Sequence, residues 1–153
     1  MLRVSIPGEE PLEFRHLVLD ANGTLTDHGE LIEGVAGRIA RLRDVLAVHI
    51  ASADTFGTAE GLAASLGASF VRVGDGADKE RLVERLGADG VVAIGNGRND
   101  VAMLRSARLS IAVVGPEGAA AAAMASADIV SRDICDALDM LLDRKVLIAT
   151  LRP

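Results

Sequence analysis

Short apolar runs alternate along the chain with longer amphipathic stretches, and this alternation is typical of an α/β protein. The runs that most clearly predict strands lie at 48–51, 70–73, 91–94 and 110–114. The amphipathic stretches between and before them predict helices at 35–46, 55–66, 78–86 and 99–107. Because strands that alternate with helices form parallel sheets with right-handed crossovers, we expect one domain spanning residues 1–153, with helices on both faces of the sheet.

The two ends of the chain are less regular. Near the start, the runs 2–6 and 12–19 predict two strands that flank a turn at Pro7 and Gly8, an arrangement compatible with a hairpin. Towards the end, the pattern predicts an Ala-rich helix at 116–125, a short strand at 128–130, a helix at 133–142 and a last strand at 146–150.

A carboxylate stands directly after the first central run. Leu19 is followed by Asp20 and then by a polar turn that contains Gly23, Thr24 and Thr26. At the carboxyl edge of a parallel sheet, such an Asp can act as a nucleophile at phosphorus. Asp, Asn and Gly are also ordinary turn residues, so this segment alone is equally compatible with a turn that has no chemical function.

A second carboxylate follows the run at 91–94. The loop Gly95-Asn96-Gly97-Arg98-Asn99 leads to Asp100, at the start of the next predicted helix. Asp100 occupies the third glycine position of a dinucleotide-binding fingerprint, so the loop does not match that motif. Its carboxylate is placed to hold a hard cation. Helix capping is the alternative for Asp100 alone, but it does not explain why two strands deliver Asp to the same edge.

Two more polar residues follow strands in the same way. Ser52 ends the run at 48–51, where its hydroxyl can donate to a phosphoryl oxygen, although a loop serine is the commoner interpretation. Lys79 is one of only two lysines among 16 cationic residues, the other being Lys145. A compact ammonium suits a single phosphoryl oxygen, but taken alone Lys79 is better interpreted as a solvated helix residue.

Together, the order of these motifs resembles the haloacid dehalogenase superfamily of aspartate-nucleophile phosphohydrolases, and within it the phosphorylation domains of P-type ATPases and their small soluble relatives. DANGTLT at 20–26 is similar to the ATPase DKTGTLT, and GNGRNDVAML at 95–104 is similar to GDGxNDxxAL. Ser52-Ala53-Asp54 is similar to their Thr-Gly-Asp. The resemblance implies a Rossmann-like three-layer α/β/α sandwich around a mainly parallel sheet.

The resemblance also implies a role for each matching residue. Asp20 would be the nucleophile of a phosphatase and would carry an aspartyl-phosphate. The catalytic residues implied are Asp20, Asn22 and Lys79. The residues implied to contact the phosphoryl group are Ser52, Ala53, Lys79 and Asn99. The ligands implied for a Mg²⁺ ion are Asp20, the backbone carbonyl of Asn22, Asn96 and Asp100.

Two positions depart from the family pattern. Asn22 stands where most phosphatases of this superfamily have the Asp that serves as general acid and base, and Asn96 stands where the loop usually has Asp. Because an amide cannot donate a proton as an acid, we expect a rate lower by roughly 10²–10⁴-fold, or a preference for good leaving groups. The alternative is a non-catalytic regulatory protein that binds phosphate or Mg²⁺ on the same fold.

Composition narrows the choice of partners. The net charge of −6 and the absence of Trp and Tyr argue against nucleic acid, and the charge also argues against anionic membranes. We therefore expect a small phosphorylated metabolite or a phosphoprotein as the substrate. The single Cys135 cannot form an internal disulfide, and the chain shows neither a signal core nor an apolar stretch of membrane-spanning length, so we expect a cytoplasmic protein.

The chain leaves no room for a cap domain. Fewer than ten residues separate Thr26 from the predicted helix near Val35. The resemblance to capless relatives implies an open site, and such enzymes often exclude water through a homo-oligomer or a large substrate. His28, Glu30 and Arg98 are expected in loops on the active edge, where solvated loop residues are the commoner interpretation. His16 and His49 fall within predicted strands, and we expect both to be structural.

Overall fold

The computed structural model describes residues 1–55 and 57–153. In chain order the strands of this part of the chain are β1 (Leu2–Val4), β2 (Leu12–Phe14), β3 (His16–Asp20), β4 (Thr26–Asp27), β5 (Glu30–Leu31), β6 (Ala47–Ser52), β7 (Ser69–Arg72), β8 (Val91–Gly95), β9 (Leu109–Val113) and β10 (Ile129–Ser131). The helices are α1 (Val35–Leu42), α2 (Ala59–Leu66), α3 (Gly76–Leu86), α4 (Val101–Ser106), α5 (Ala121–Ser126), α6 (Ile134–Leu142) and α7 (Arg144–Leu151).

The central sheet has the strand order β10-β9-β8-β3-β6-β7, and all of its pairs are parallel. The first of these strands, β3, lies in the middle, with β6 on one side and β8 on the other. The chain therefore changes direction across the sheet at β3. In open α/β sheets this switch point is where the carboxyl ends of the strands form a crevice for ligands.

Alternate residues of the central strands pack against different helices. Leu17 and Leu19 of β3 belong to one apolar core with α1, α2, α6 and α7, whereas Val18 belongs to a second core with α3, α4 and α5. Because helices cover both faces of the sheet, the strand sequences are continuous apolar runs and do not alternate between apolar and polar residues. The predicted three-layer sandwich around a parallel sheet is confirmed.

The amino-terminal prediction was right about the hairpin and wrong about its second strand. β1 and β2 pair in an antiparallel hairpin, as the turn at Pro7 and Gly8 suggested. The predicted strand at 12–19 is broken at Arg15, because β2 stays with the hairpin while β3 enters the central sheet. The break separates the peripheral hairpin from the strand that carries Asp20.

Several predicted helices are shorter or shifted. The helix predicted at 35–46 ends at Leu42, and the one predicted at 55–66 begins at Ala59, with Phe56 outside the described residues. The helix predicted at 78–86 begins at Gly76, because Asp75 caps it by accepting from the Asp78 amide. The helix predicted at 99–107 is a single 3₁₀ turn at Arg98–Asp100 followed by α4.

The helix predicted at 116–125 begins only at Ala121, because the preceding segment crosses over the loop after β8. There the extended Ala120 donates its amide to the carbonyl of Asn96 at 2.8 Å. This crossing brings Glu117 close to the loop that follows Asp20.

The prediction of a strand at 146–150 is wrong, because these residues form most of α7. Asp143 caps this helix by accepting from the Lys145 amide. Leu147 is fully buried, and Leu151, four residues later, packs against the same core. The spacing of these two leucines places them on one helical face and outweighs the β-branched residues between them.

The segment between β3 and α1 contains only a small hairpin. β4 and β5 pair in antiparallel register through a turn at His28 and Gly29. In this part of the chain the structure places no cap domain over the sheet, in agreement with the sequence. None of the helices in the described ranges is both long and apolar enough to cross a bilayer.

Candidate active site

The polar residues of the three central strands meet at the carboxyl edge of the sheet. Asp20 ends β3 and Ser52 ends the neighbouring β6, where Asp20 lies opposite Ala51 in the parallel register. On the other side, β8 ends at Gly95 and leads directly to Asn96. The site is thus assembled by strand register, which places residues distant in sequence beside one another.

A buried lysine joins the two carboxylates that the sequence placed at this edge. The Lys79 ammonium donates to Asp20 Oδ1 at 2.7 Å and to Asp100 Oδ1 at 2.6 Å. The Lys79 side chain is only 1% exposed, and those of Asp20 and Asp100 are 9% and 0% exposed. Lys79 is therefore not the solvated helix residue that its sequence context alone favoured, and its ammonium lies within the group of acidic side chains.

The charges in this group do not balance, because two carboxylates share one ammonium. Burial raises the pKa of the Asp20 carboxyl to about 6, and the negative charge of Asp100 acts in the same direction against the opposing effect of Lys79. Burial by itself lowers the pKa of the Lys79 ammonium, but the two carboxylates outweigh it and leave that pKa raised. An additional cation beside Asp20 would therefore be electrostatically favoured.

The loop after β8 holds Asp100 in place. Asp100 Oδ2 accepts the amides of Asn96 at 3.0 Å and Gly97 at 2.9 Å. Gly95 makes this close approach feasible, since a Cβ at that position would lie 2.6 Å from the Asp100 carboxyl group. The glycine before the loop and the Asp after it are thus both explained by one compact turn.

Thr24 connects Asp20 to Asn96 and was not predicted as a site residue. Its hydroxyl lies 3.2 Å from Asp20 Oδ2 and 3.2 Å from Asn96 Oδ1. The Asn96 amide nitrogen donates to the carbonyl of Gly118, while its oxygen faces the Thr24 hydroxyl. The hydroxyl in the turn after Asp20 was visible in the sequence, but only the fold shows which oxygens it contacts.

This arrangement fits a hard divalent cation. The Thr24 hydroxyl carries one hydrogen for two acceptor oxygens, so either Asp20 Oδ2 or Asn96 Oδ1 lacks that donor at any moment. Carboxylate and amide oxygens of this kind are the donors that Mg²⁺ prefers, and it usually binds through one or two carboxylates and several waters. In the described part of the chain, no three His, Cys, Asp or Glu side chains are grouped closely enough to form a closed metal site.

The remaining predicted residues lie around this centre with different exposure. Ser52 is buried, and its hydroxyl oxygen accepts the amide of Asp54 at 3.1 Å. Asp54, which was not predicted as a site residue, also accepts the amide of Ala59 and so fixes the loop after β6. Ala53 and Asn99 are exposed. These two are accessible to a ligand, but the structure shows no contact that assigns them to phosphate.

A family model described as a haloacid dehalogenase-like hydrolase matches residues 10–108, which is more than half of the chain. The chain belongs to this family. The match includes the strands that carry Asp20 and Ser52, the helix α3 that carries Lys79, and the turn that carries Asp100. The resemblance drawn from the motifs is therefore confirmed, and the protein is a member of a family of hydrolases.

Individual relatives of this haloacid dehalogenase-like hydrolase are of three kinds. It is 52% identical over 62 residues to an uncharacterized protein of Methanocaldococcus jannaschii, covering 40% of this chain and 67% of that protein. It is similar to the 3-deoxy-D-manno-octulosonate 8-phosphate phosphatase of Moraxella catarrhalis, which was solved with magnesium, phosphate and KDO. The TM-score is 0.68 at 18% sequence identity, and the match covers 91% of this chain and 94% of that one. It is also similar to the catalytic domain of the CPx-ATPase CopB-B, with a TM-score of 0.63 and 27% identity, covering 74% of this chain and 46% of that one.

Next to the charged centre, this hydrolase has a cavity of about 610 Å³. Its lining residues are Asn22, His28, Gly29, Glu30, Thr58 and Glu117. Asn22 is exposed and lines this cavity, at the position where other members carry their general acid. Thr58 and Glu117 were not predicted as site residues. Both lie in loops, and only the folded course of those loops brings them to the cavity.

Proposed function

We propose that this haloacid dehalogenase-like hydrolase is a Mg²⁺-dependent phosphatase that acts through an aspartyl-phosphate on Asp20. The observation that carries the proposal is the position of Asp20 at the switch point of the sheet. Lys79 holds its Oδ1, and among the described residues its Oδ2 is contacted by the Thr24 hydroxyl alone. Such a carboxylate is fixed in direction but keeps lone pairs for attack on phosphorus.

The reaction has two displacements at phosphorus. In the first, an Asp20 oxygen forms a bond to phosphorus while the ester oxygen leaves with its electron pair and takes up a proton. In the second, water attacks the aspartyl-phosphate, loses a proton and releases inorganic phosphate, which restores the Asp20 carboxylate. The Ser52 hydroxyl and the Lys79 ammonium would bind phosphoryl oxygens during both steps.

A bound Mg²⁺ ion would neutralise phosphoryl charge and orient the phosphate for in-line attack. Asp20, the Asn22 carbonyl, Asn96 and Asp100 would hold it. The similar phosphatase of Moraxella catarrhalis, which was solved with magnesium, and the fit of the oxygen donors both support this part of the proposal.

The substrate proposed is a small phosphorylated metabolite or a phosphorylated segment of a protein. Without a cap domain in the described residues, the cavity beside Asn22 stays open to solvent, so a leaving group of varied shape could enter. The likeness to a sugar-phosphate phosphatase supports the small-molecule class, and a homo-oligomer that covers the cavity is compatible with it.

A non-catalytic regulatory protein that binds phosphate or Mg²⁺ is the second candidate. It is favoured by the two amides, Asn22 and Asn96, which replace acidic residues of the family. It is disfavoured by the burial of Asp20, Lys79 and Asp100 as a charged group, since such a group is destabilising and has no evident structural purpose.

The test is a screen of phosphorylated metabolites with and without Mg²⁺, in parallel with beryllofluoride binding. We expect Mg²⁺-dependent phosphate release by the native chain, and a loss of at least about 10³-fold in Asp20→Asn, because an amide is not a nucleophile at phosphorus. Asp128→Asn, at the opposite edge of the sheet, is the matched control and should keep full activity. Equal activity of Asp20→Asn and the native chain would exclude the aspartyl-phosphate.

A further inference from the structure

The family position for a general acid holds Asn22, yet a histidine lines the same cavity. We propose that His28, oriented by Asp27, donates and accepts the protons of the reaction from the tip of the β4–β5 hairpin. The inference rests on the proposed phosphatase function and adds a catalytic residue to it. It is carried by the geometry of the hairpin, by the residues that line the cavity and by the chemistry of the step.

The hairpin holds His28 in a left-handed backbone conformation at its turn. His28 and Gly29 both have positive φ, at 50° and 85°. Two-residue hairpin turns of this type favour Asn, Asp or Gly at their first position, because a larger side chain is strained in the left-handed region. A non-glycine residue held there beside a catalytic centre is the kind of outlier that points to a function.

The hairpin also sets the direction of the imidazole. His28 Nδ1 lies 2.6 Å from Asp27 Oδ1. Because a carboxylate can only accept, Nδ1 is the donor, and Nε2 is left to exchange a proton with substrate. The His28 side chain is 91% exposed, so the imidazole can be reprotonated from solvent between turnovers. A histidine oriented by a carboxylate through one ring nitrogen is a recurring arrangement for proton transfer.

The other titratable groups facing this cavity are carboxyl groups. Glu30 and Glu117 line it, and Asp27 borders it through His28. An ionised carboxylate can only accept hydrogen bonds and has no proton to give to a leaving group. A ring nitrogen of imidazole donates a proton in the cationic form and accepts one in the neutral form, so a single side chain can serve both steps. Among these side chains, His28 is therefore the one that can act in both directions.

The protons balance over the two displacements. In the first, protonated His28 gives its Nε2 proton to the ester oxygen as the P–O bond breaks and the Asp20–phosphorus bond forms. In the second, neutral His28 takes a proton from the attacking water as that water bonds to phosphorus and the Asp20–phosphorus bond breaks. The enzyme returns to its starting state, with Asp20 ionised and His28 protonated.

The experiment compares leaving groups in the native chain and in His28→Asn, a substitution that tolerates positive φ. An alkyl phosphate needs a proton on its leaving oxygen, whereas p-nitrophenyl phosphate needs it far less. We expect His28→Asn to lower kcat/KM about 10²-fold for ethyl phosphate and less than about 3-fold for p-nitrophenyl phosphate. The pH profile for ethyl phosphate should lose one ionisation. His49→Asn, the same substitution at the other edge of the sheet, should change neither rate.

A second variant separates chemistry from structure. Asn22→Asp restores the acid of the family, so in the His28→Asn background it should return most of the lost rate on ethyl phosphate. An equal loss on both substrates, or no rescue by Asn22→Asp, would give His28 a structural role and overturn the proposal. An undiminished rate on ethyl phosphate in His28→Asn would do the same while leaving the phosphatase function intact. If the native chain releases phosphate from neither substrate and Asp20 binds no beryllofluoride, the phosphatase function itself fails.

Discussion

Ionisable residues lie at both edges of the central sheet, and the surroundings of the two groups differ. At the carboxyl edge, Asp20 of β3 is buried with Lys79 and Asp100 as a group of full charges. At the amino edge, His16 of β3 and His49 of β6 are partly buried, with ring nitrogens 3.1 Å apart and ring centroids 5.3 Å apart. Burial lowers the pKa of the His49 imidazole, and the neighbouring His16 and Arg85 act in the same direction.

The difference shows where this fold retains unfavourable electrostatics. The amino edge favours uncharged rings that can hydrogen-bond to each other, which is a stable arrangement at neutral pH. The carboxyl edge keeps an excess negative charge out of water, which weakens the fold but suits the cation and phosphoryl group of the proposed function. Substitutions at the two edges should therefore differ in size and, in one case, in sign.

The largest effect is expected from the only two lysines of the chain. Lys79→Met would leave two buried carboxylates without a partner, and we expect the free energy of unfolding to fall by about 3–5 kcal/mol. Lys145→Met, the matched control on the exposed side of α7, should change it by less than about 0.5 kcal/mol. Urea denaturation of both variants measures the difference. Similar stabilities would mean that Lys79 does not neutralise a buried pair.

A stabilising change is expected from removing one carboxylate of the same group. Asp20→Asn leaves Lys79 paired with Asp100 alone, so in metal-free buffer the free energy of unfolding should rise by about 1–2 kcal/mol, although activity is lost. In Asp128→Asn the amide oxygen can still accept the hydrogen bonds that Ser110 donates, and this variant should not stabilise the protein. The opposite order of stabilities in urea would show that the charges at the carboxyl edge are already balanced.

A smaller effect is expected when the carboxyl edge is made more negative. Asn96→Asp adds a charge beside Asp20, so Mg²⁺ should bind about 10-fold more tightly, since hard cations favour carboxylate oxygen. Asp100→Ala should weaken binding. Calorimetric titration with MgCl₂ provides both affinities, and unchanged values in both variants would remove these two residues from the surroundings of the metal.

The smallest effect is expected at the amino edge. Because the folded state lowers the pKa of His49 below its unfolded value near 6.5, the unfolded chain binds more protons as the pH falls below that value. The contribution of His49 to stability is therefore present above about pH 6.5 and is lost as the pH falls through its folded pKa. His49→Asn should flatten the stability profile between pH 7.5 and pH 5. An unchanged slope in thermal unfolding at those pH values would contradict this.

The sequence predicted those parts of the site that depend on strand ends. Asp20 and Asp100 follow apolar runs, and carboxyl ends of parallel strands meet, so their proximity could be inferred without coordinates. The contact of Lys79 with both carboxylates depends on how α3 packs against the sheet, and nothing in its own segment indicates burial. Thr24 and Glu117 depend on turn geometry, which is set by contacts between loops distant in sequence.

The errors in the fold have a similar origin. Residues 146–150 are rich in β-branched side chains and predict a strand, but packing of Leu147 and Leu151 against the core makes them helical. The helix predicted from Pro116 is delayed because Ala120 binds the carbonyl of Asn96, a contact across 24 residues of sequence. In both cases tertiary contacts outweighed local preference.

The central position of β3 also determines when the site can form during folding. β3 comes first among the strands of the sheet, yet it must wait for β6 and β8, which are synthesised later, before Asp20 has its neighbours on both sides. Parallel pairing between such distant segments is slow compared with helix formation. Recovery of activity after dilution from denaturant should therefore lag behind recovery of the helical circular dichroism signal, and a chain truncated before β8 should have helices but no reactive carboxylate.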